Sequence, residues 1–124
     1  MNIVDTCGWL EYFAAGPNAY FFAEPLEDTA NLSVPTLCIY EVFKHVLIQR
    51  NKDKALQAAA YMLQGKVIEL DASIALEAAK ISIDLKLPMA DSIILATTRT
   101  LDAVLWTQDA DFKGIDEVKY IERK

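Results

Sequence analysis

Four carboxylates in this chain occupy positions that solubility alone does not explain. Asp5 ends the apolar run Asn2-Ile3-Val4, and Glu41 is set among Ile39, Tyr40, Val42 and Phe43, which leave a helix little wet face. Asp91 lies in LPMADSIILATTRT, beside Met89, Ala90, Ile93, Ile94 and Leu95 and with no basic residue next to it. Asp109 follows the apolar run AVLWT within WTQDADF, and Asp111 comes two residues later. Singly, each has an ordinary explanation. Asp5 can cap the helix after it, Glu41 can be a solvated helix acid, and D-x-D is common in turns. Asp91 can complement a helix dipole, worth up to about 1 kcal/mol. Gathered at one place, four carboxylates would repel and raise one another's pKa unless cations sat among them. Hard oxygen donors without His or Cys favour Mg²⁺ or Mn²⁺ over zinc. One or two such ions are expected, and a pair about 3.5–4 Å apart can activate water and stabilise the leaving oxygen of a phosphodiester.

The elements needed to gather these acids are legible as an alternation of short apolar strands and amphipathic helices. Strands are expected at residues 2–4, 32–34, 67–70, 103–107 and 118–121, the last short, charged and at an edge. Helices are expected over 8–15, over 18–28 with an interruption at Pro25, over 36–50 and over 53–64, where Gly65 supplies a stop. Ser73 can cap a helix running to about residue 86, and Pro88 suits the first turn of the next one. This order predicts an α/β fold of three layers, α/β/α, with a central, mainly parallel sheet of four to five strands flanked by helices. Ligands of such sheets bind beyond the carboxyl ends of the strands, where Asp5 and Asp109 should emerge.

Composition narrows the classes. With 124 residues, 53% of them hydrophobic and 24% charged, the chain suits one domain, 1–124, with a proper core. No apolar run approaches a membrane span, and Asp5 interrupts any signal-like segment, so a cytoplasmic protein without a membrane partner is expected. Cys7 and Cys38 read as small core residues, and a lone histidine, His45, leaves zinc without its usual ligands. A net charge of −6 is not that of a general phosphate-backbone binder. Two divalent ions would offset four of those charges locally.

Four segments carry a resemblance: IVDTCGWLEYF, PTLCIYEVFKHVL, LPMADSIILATTRT and WTQDADF. In this order and spacing the chain resembles the PIN-domain family, in particular the VapC-type toxins of toxin–antitoxin pairs. The resemblance implies a metal-dependent endoribonuclease that cuts RNA by water attack on phosphorus and leaves a 5′-phosphate. It places the catalytic and metal-binding acids on Asp5, Glu41, Asp91 and Asp109. It also implies a hydroxyl at Thr107 that orients a carboxylate or a water, and Asp111 as an accessory. The partners it implies are an RNA substrate, a second copy in a homodimer, and a small VapB-like antitoxin whose C-terminal arm lies across the active site.

Basic residues are fewer. Lys44 and His45 follow Glu41 by one helical turn, Arg50, Lys52 and Lys54 form the densest basic run, and Arg99 lies two turns after Asp91. Lys44, Arg50 and Arg99 are candidate RNA contacts; an exposed helix face explains them equally well. Helix 36–50 is apolar nearly all round, which points to a subunit interface. Trp9, Tyr12, Phe13 and Trp106 read as packing. A phosphatase built on Asp109-Ala110-Asp111 would need a long domain downstream, and a phosphoacceptor domain would need paired acids after the first strand. The alternative that stays open is a non-catalytic module of the same fold that dimerises and binds partners.

Overall fold

Five strands and six α-helices alternate along residues 1–124, the span described by the computed structural model. β1 (Asn2–Val4) leads into α1 (Thr6–Phe13) and α2 (Ala19–Glu27); β2 (Ser33–Pro35) leads into α3 (Thr36–Gln49) and α4 (Lys52–Met62). β3 (Lys66–Ile68) precedes α5 (Ala72–Leu85) and α6 (Met89–Thr100), and β4 (Val104–Thr107) reaches β5 (Val118–Tyr120) through a 3-10 turn at Ala110–Phe112.

Every strand pairing is parallel. β4 lies between β1 and β5, with Val4 opposite Trp106 and Thr107 opposite Tyr120. β2 pairs with β3 as a separate two-stranded sheet, and one parallel bridge, Asn2 to Leu32, joins the two. The order is therefore β3-β2-β1-β4-β5, with all carboxyl ends at one edge. This is the expected parallel sheet flanked by helices, divided three strands and two. Ile3, Val4, Val34 and Leu105 are fully buried in it, which accounts for their unbroken apolar runs.

Local chemistry shifts some boundaries. α1 begins at Thr6, not at Gly8, because Asp5 caps it. Gly8 then lies where a Cβ would come within 2.6 Å of the Phe22 ring and of Val4, so only glycine lets α1 settle this close to α2 and β1. α2 runs through Pro25, whose ring is buried, at the loss of one backbone hydrogen bond. Asp71, not Ser73, caps α5, its Oδ1 accepting from the Ile74 amide at 2.9 Å.

α3 keeps close to its expected span and is covered on one side. Cys38 and Val42 are fully buried, and Leu37, Ile39 and Val46 pack against the same core. α4 doubles back along α3, and α1 and β2 cover further parts of it. Of the apolar surface that suggested a subunit interface, Val42 is thus covered within the chain and Ile39 and Val46 in part, while Tyr40, Leu47 and Ile48 stay exposed. Other exposed aliphatics lie elsewhere, on α5, where Leu76 and Ile83 are 70% and 78% exposed.

Candidate metal centre

Asp5, Asp91 and Asp109 each offer a carboxylate oxygen such that the three atoms lie within 4.8 Å of one another. They come from the end of β1, the first turn of α6 and the segment after β4. The parallel register sets the first and last at one sheet edge. α6 runs opposite to the strands and brings its N-terminal turn to that edge.

Asp5 is the most constrained of the three and is 3% exposed. Its Oδ1 accepts from the Thr6 amide at 2.8 Å, and its Oδ2 accepts from the Thr107 hydroxyl at 2.9 Å and from the Cys7 thiol at 3.4 Å. The Thr107 oxygen in turn accepts from the Asp109 amide at 2.9 Å, so one hydroxyl orients two of the acids. Asp109 Oδ1 caps the 3-10 turn by accepting from the Asp111 amide at 2.9 Å. Behind this segment the buried Asn18 donates to Gln108 at 2.8 Å and to the Glu122 carbonyl at 3.0 Å.

Asp91 is the third residue of α6. In that position an acid commonly reaches back to the amide of the capping residue, but the cap here is Pro88, which has no N–H. Its carboxylate is therefore free for another partner. Ser92 bonds the Leu87 and Pro88 carbonyls, and Thr97 and Thr98 bond carbonyls four residues back, so the other inward polar groups of the helix are satisfied locally.

Burial and mutual repulsion set the protonation of the cluster. Burial pushes Asp5 up to about 6, against hydrogen bonds from Thr107, Cys7 and Thr6 that favour its charge, while Asp109 adds repulsion. Burial first, and then the charges of Asp5, Asp109 and Asp111, push Asp91 up to about 7. An N-terminal helix position favours a carboxylate; here burial and three neighbouring acids outweigh it. No lysine or arginine compensates, since the ion pairs are Lys80–Glu77 and Arg99–Glu117. A magnesium ion spans oxygens up to about 4.2 Å apart, so a slight closing of the 4.8 Å cluster fits one. The all-oxygen donor set fits a hard divalent cation.

The other candidates fall into place around this cluster or away from it. Glu41 stands outside the triad but next to it, its Oε1 accepting from the Thr6 hydroxyl at 2.6 Å. Asp111 is exposed and close enough to hydrogen-bond Asp91. Lys44 is exposed on α3, its ammonium 5.7 Å from the centre of the Tyr40 ring. Arg50 lines a cleft of about 530 Å³ with His45, Lys54 and Tyr61, which none of the three triad aspartates reaches. Arg99 does not face the same groove as Asp91. It lies about 12 Å further along α6, where it bonds Glu117 at 2.9 Å near the amino end of β5. Thr6 and Asn18 were not singled out by the sequence, and Cys7 was read only as a small core residue. For Thr6 the signal was present, a hydroxyl directly after Asp5. Cys7 is no plain core residue, since its thiol bonds Asp5 and is pushed up to about 12, mainly by burial and then by the Asp5 charge.

Comparison with known proteins agrees with this architecture. A family model described as PIN domain matches residues 3–118, and the chain belongs to the PIN domain family. A search of curated proteins found no match. Among solved structures, the chain is similar to one in a toxin–antitoxin complex from Klebsiella pneumoniae, with 22% identity, 96% of each chain covered and a TM-score of 0.79. It is also similar to VapC20 from Mycobacterium tuberculosis, described as a Sarcin-Ricin loop cleaving toxin. Identity there is 15%, coverage 94% of this chain and 95% of that one, and the TM-score 0.76. A chain of VapBC2 from Rickettsia felis, solved with a fragment of promoter DNA, is 14% identical over 98% and 97% of the two chains, with a TM-score of 0.74. At these identities the likeness is one of fold.

Proposed function

We propose that this chain is a VapC-type toxin, an endoribonuclease that hydrolyses RNA phosphodiester bonds with Mg²⁺ or Mn²⁺. The observation carrying this reading is the triad of Asp5, Asp91 and Asp109, with three oxygens within 4.8 Å and no protein cation to balance them. A bound divalent ion would lower the pKa of a coordinated water and stabilise charge developing on the phosphate.

The chain's own residues then have distinct tasks. Asp5, held by Thr6, Cys7 and Thr107, keeps its oxygens fixed for a metal. Asp91 and Asp109 complete the ligand set, with Asp111 an accessory beside Asp91. Glu41, tied to Thr6, acts from the side, as a ligand to a second ion or as a group that orients water. Lys44 and Arg50 draw the RNA phosphates toward an otherwise acidic protein.

The rest of the reading is biological. No helix is long and apolar enough to cross a membrane, and we place the chain in the cytoplasm. Similar folds occur in toxin–antitoxin complexes, which supports a small VapB-like antitoxin that silences the site. We further infer a homodimer, with Leu76 and Ile83 of α5 in its interface. The test is cleavage of RNA by purified, antitoxin-free protein with Mg²⁺ or Mn²⁺. Asp5→Asn and Asp91→Asn should each abolish it while leaving the fold intact. Equal cutting by wild type and both variants would remove the site assignment, and a wild type that does not cut with either metal would leave a non-catalytic binding module of the same fold.

A further inference from the structure

The outer face of α3 carries Tyr40, Lys44 and Ile48 at steps of four residues, hence in one stripe. Tyr40 is 60% exposed and Ile48 69% exposed, and the Lys44 ammonium stands 5.7 Å from the Tyr40 ring centre. With Glu41 and His45 they line a hollow of about 260 Å³. Glu41 is the same residue that bonds Thr6, and the Thr6 amide bonds Asp5. Glu41 therefore ties this hollow, through Thr6, to Asp5 of the carboxylate cluster.

A single exposed ring is ordinary on a protein surface. The distribution of charge makes this one different. Residues 44–64 hold four cations, Lys44, Arg50, Lys52 and Lys54, against one acid, Asp53, a net +3 within a chain of −6. None of them is in an ion pair. His45 lines both this hollow and the larger cleft that contains Arg50 and Lys54. A basic strip thus starts beside Glu41 and follows α3 to the first turn of α4.

We propose that this strip is the track of single-stranded RNA, with one unpaired base stacked on Tyr40 and the adjoining phosphates held by Lys44 and Arg50. The proposal rests on the nuclease reading and adds the form of the substrate and a residue that grips it. A base inside a duplex has both faces covered, whereas a splayed base can lie on an aromatic ring. An acidic peptide would satisfy the same cations but has no need of the ring, so Tyr40 separates the two occupants.

The test uses the Asp91→Asn chain, which should hold RNA without cutting it, and a fluorescent single strand of about ten nucleotides, within the usual footprint of such sites. Adding Tyr40→Ala should weaken binding by about 5- to 150-fold, the range of one lost base stack, and Tyr40→Phe should restore it. Lys44→Ala should lower the slope of log affinity against log salt by about 0.7, one phosphate contact on a single strand. Annealing the complementary strand should abolish the Tyr40 effect. In the Asp91-intact chain, Tyr40→Ala should raise KM for RNA by a similar factor. If the strand binds equally well with and without the Tyr40 ring, the track is wrong although the nuclease reading stands. Loss with Lys44→Ala but not with Tyr40→Ala would leave a phosphate contact with no stacked base and also overturn it. If the intact chain neither binds nor cuts RNA, the nuclease reading falls and takes the track with it.

Discussion

The hydroxyl of Thr107 donates to Asp5 Oδ2 at 2.9 Å while accepting from the Asp109 amide at the same distance, and so couples two acids 104 residues apart in sequence. A bond to an ionised group is worth roughly 1.5–3 kcal/mol, so its loss should be felt in the reaction more than in the fold. Thr107→Val is expected to cut RNA about 10- to 100-fold more slowly than wild type. The acid limb of its pH–rate profile should move up, since Asp5 loses a donor that favours its charged form. Thr107→Ser should recover most of both effects. A valine variant with unchanged rate and profile would leave this hydroxyl a purely structural role.

The pKa shifts fix the sign of a stability change. Asp5 near 6 and Asp91 near 7 both lie above the ordinary value of 3.8. The folded, metal-free protein therefore holds protons that the unfolded chain would release. Their contribution to stability is complete below about pH 4 and is lost as pH rises through 6 and 7. For the nearly fully buried Asp5 the shift is worth about 3 kcal/mol; for the half-buried Asp91, water screening leaves less than the shift implies. In chelator, Tm should climb between pH 8 and pH 5, and Asp5→Asn or Asp91→Asn should flatten that climb. Added Mn²⁺ should raise Tm most at pH 8, where no proton competes. Identical pH curves for the wild type and both variants would contradict the buried, uncompensated carboxylates.

Glu41 stands apart from the triad, and metal binding should register the difference. Asp91→Asn removes an oxygen of the cluster, whereas Glu41→Gln alters a neighbour already committed to Thr6. Calorimetric titration with Mn²⁺ should show the larger loss for Asp91→Asn, with Glu41→Gln weakening the first ion by no more than about 10-fold, the low end for outlying groups. Equal losses would make Glu41 a ligand of the same ion.

Which parts of this site were legible from sequence depends on how local their causes are. Asp5 and Asp109 each follow a short apolar run, and a parallel sheet sends both to one edge, so strand pattern alone suggested their meeting. Asp91 was legible as an acid with no nearby cation. The supporting bonds were not, because they join distant segments: Asn18 bonds Gln108 across 90 positions, and no periodicity marks such a pair. Arg99 was misplaced for a different reason. Two helical turns keep it on the face of Asp91, but the helix axis carries it toward the opposite edge, where Glu117 waits. Which part of the apolar α3 is covered was not legible either, since cover by the returning α4 depends on a turn direction that composition does not encode.

A second exposed apolar face offers a dimer contact. Leu76 and Ile83 are seven residues apart on α5, hence on one face, and the buried Ile74, Ala78 and Ile81 point the other way. Between them lie Ala79 and Lys80, whose ammonium pairs only with the exposed Glu77 at 3.5 Å. Two large, mostly exposed aliphatics with a small residue between them suit a self-complementary helix contact, in which the same patch serves both copies. We therefore expect the purified chain to have a dimer mass by light scattering at micromolar concentration. Leu76→Glu with Ile83→Glu should halve that mass without changing the circular dichroism, because neither side chain is in the core. The substitution should leave Mn²⁺ affinity unaltered, as the triad lies on other elements. A monomeric wild type would sink the dimer altogether, and a double variant that stays dimeric would move the interface off α5.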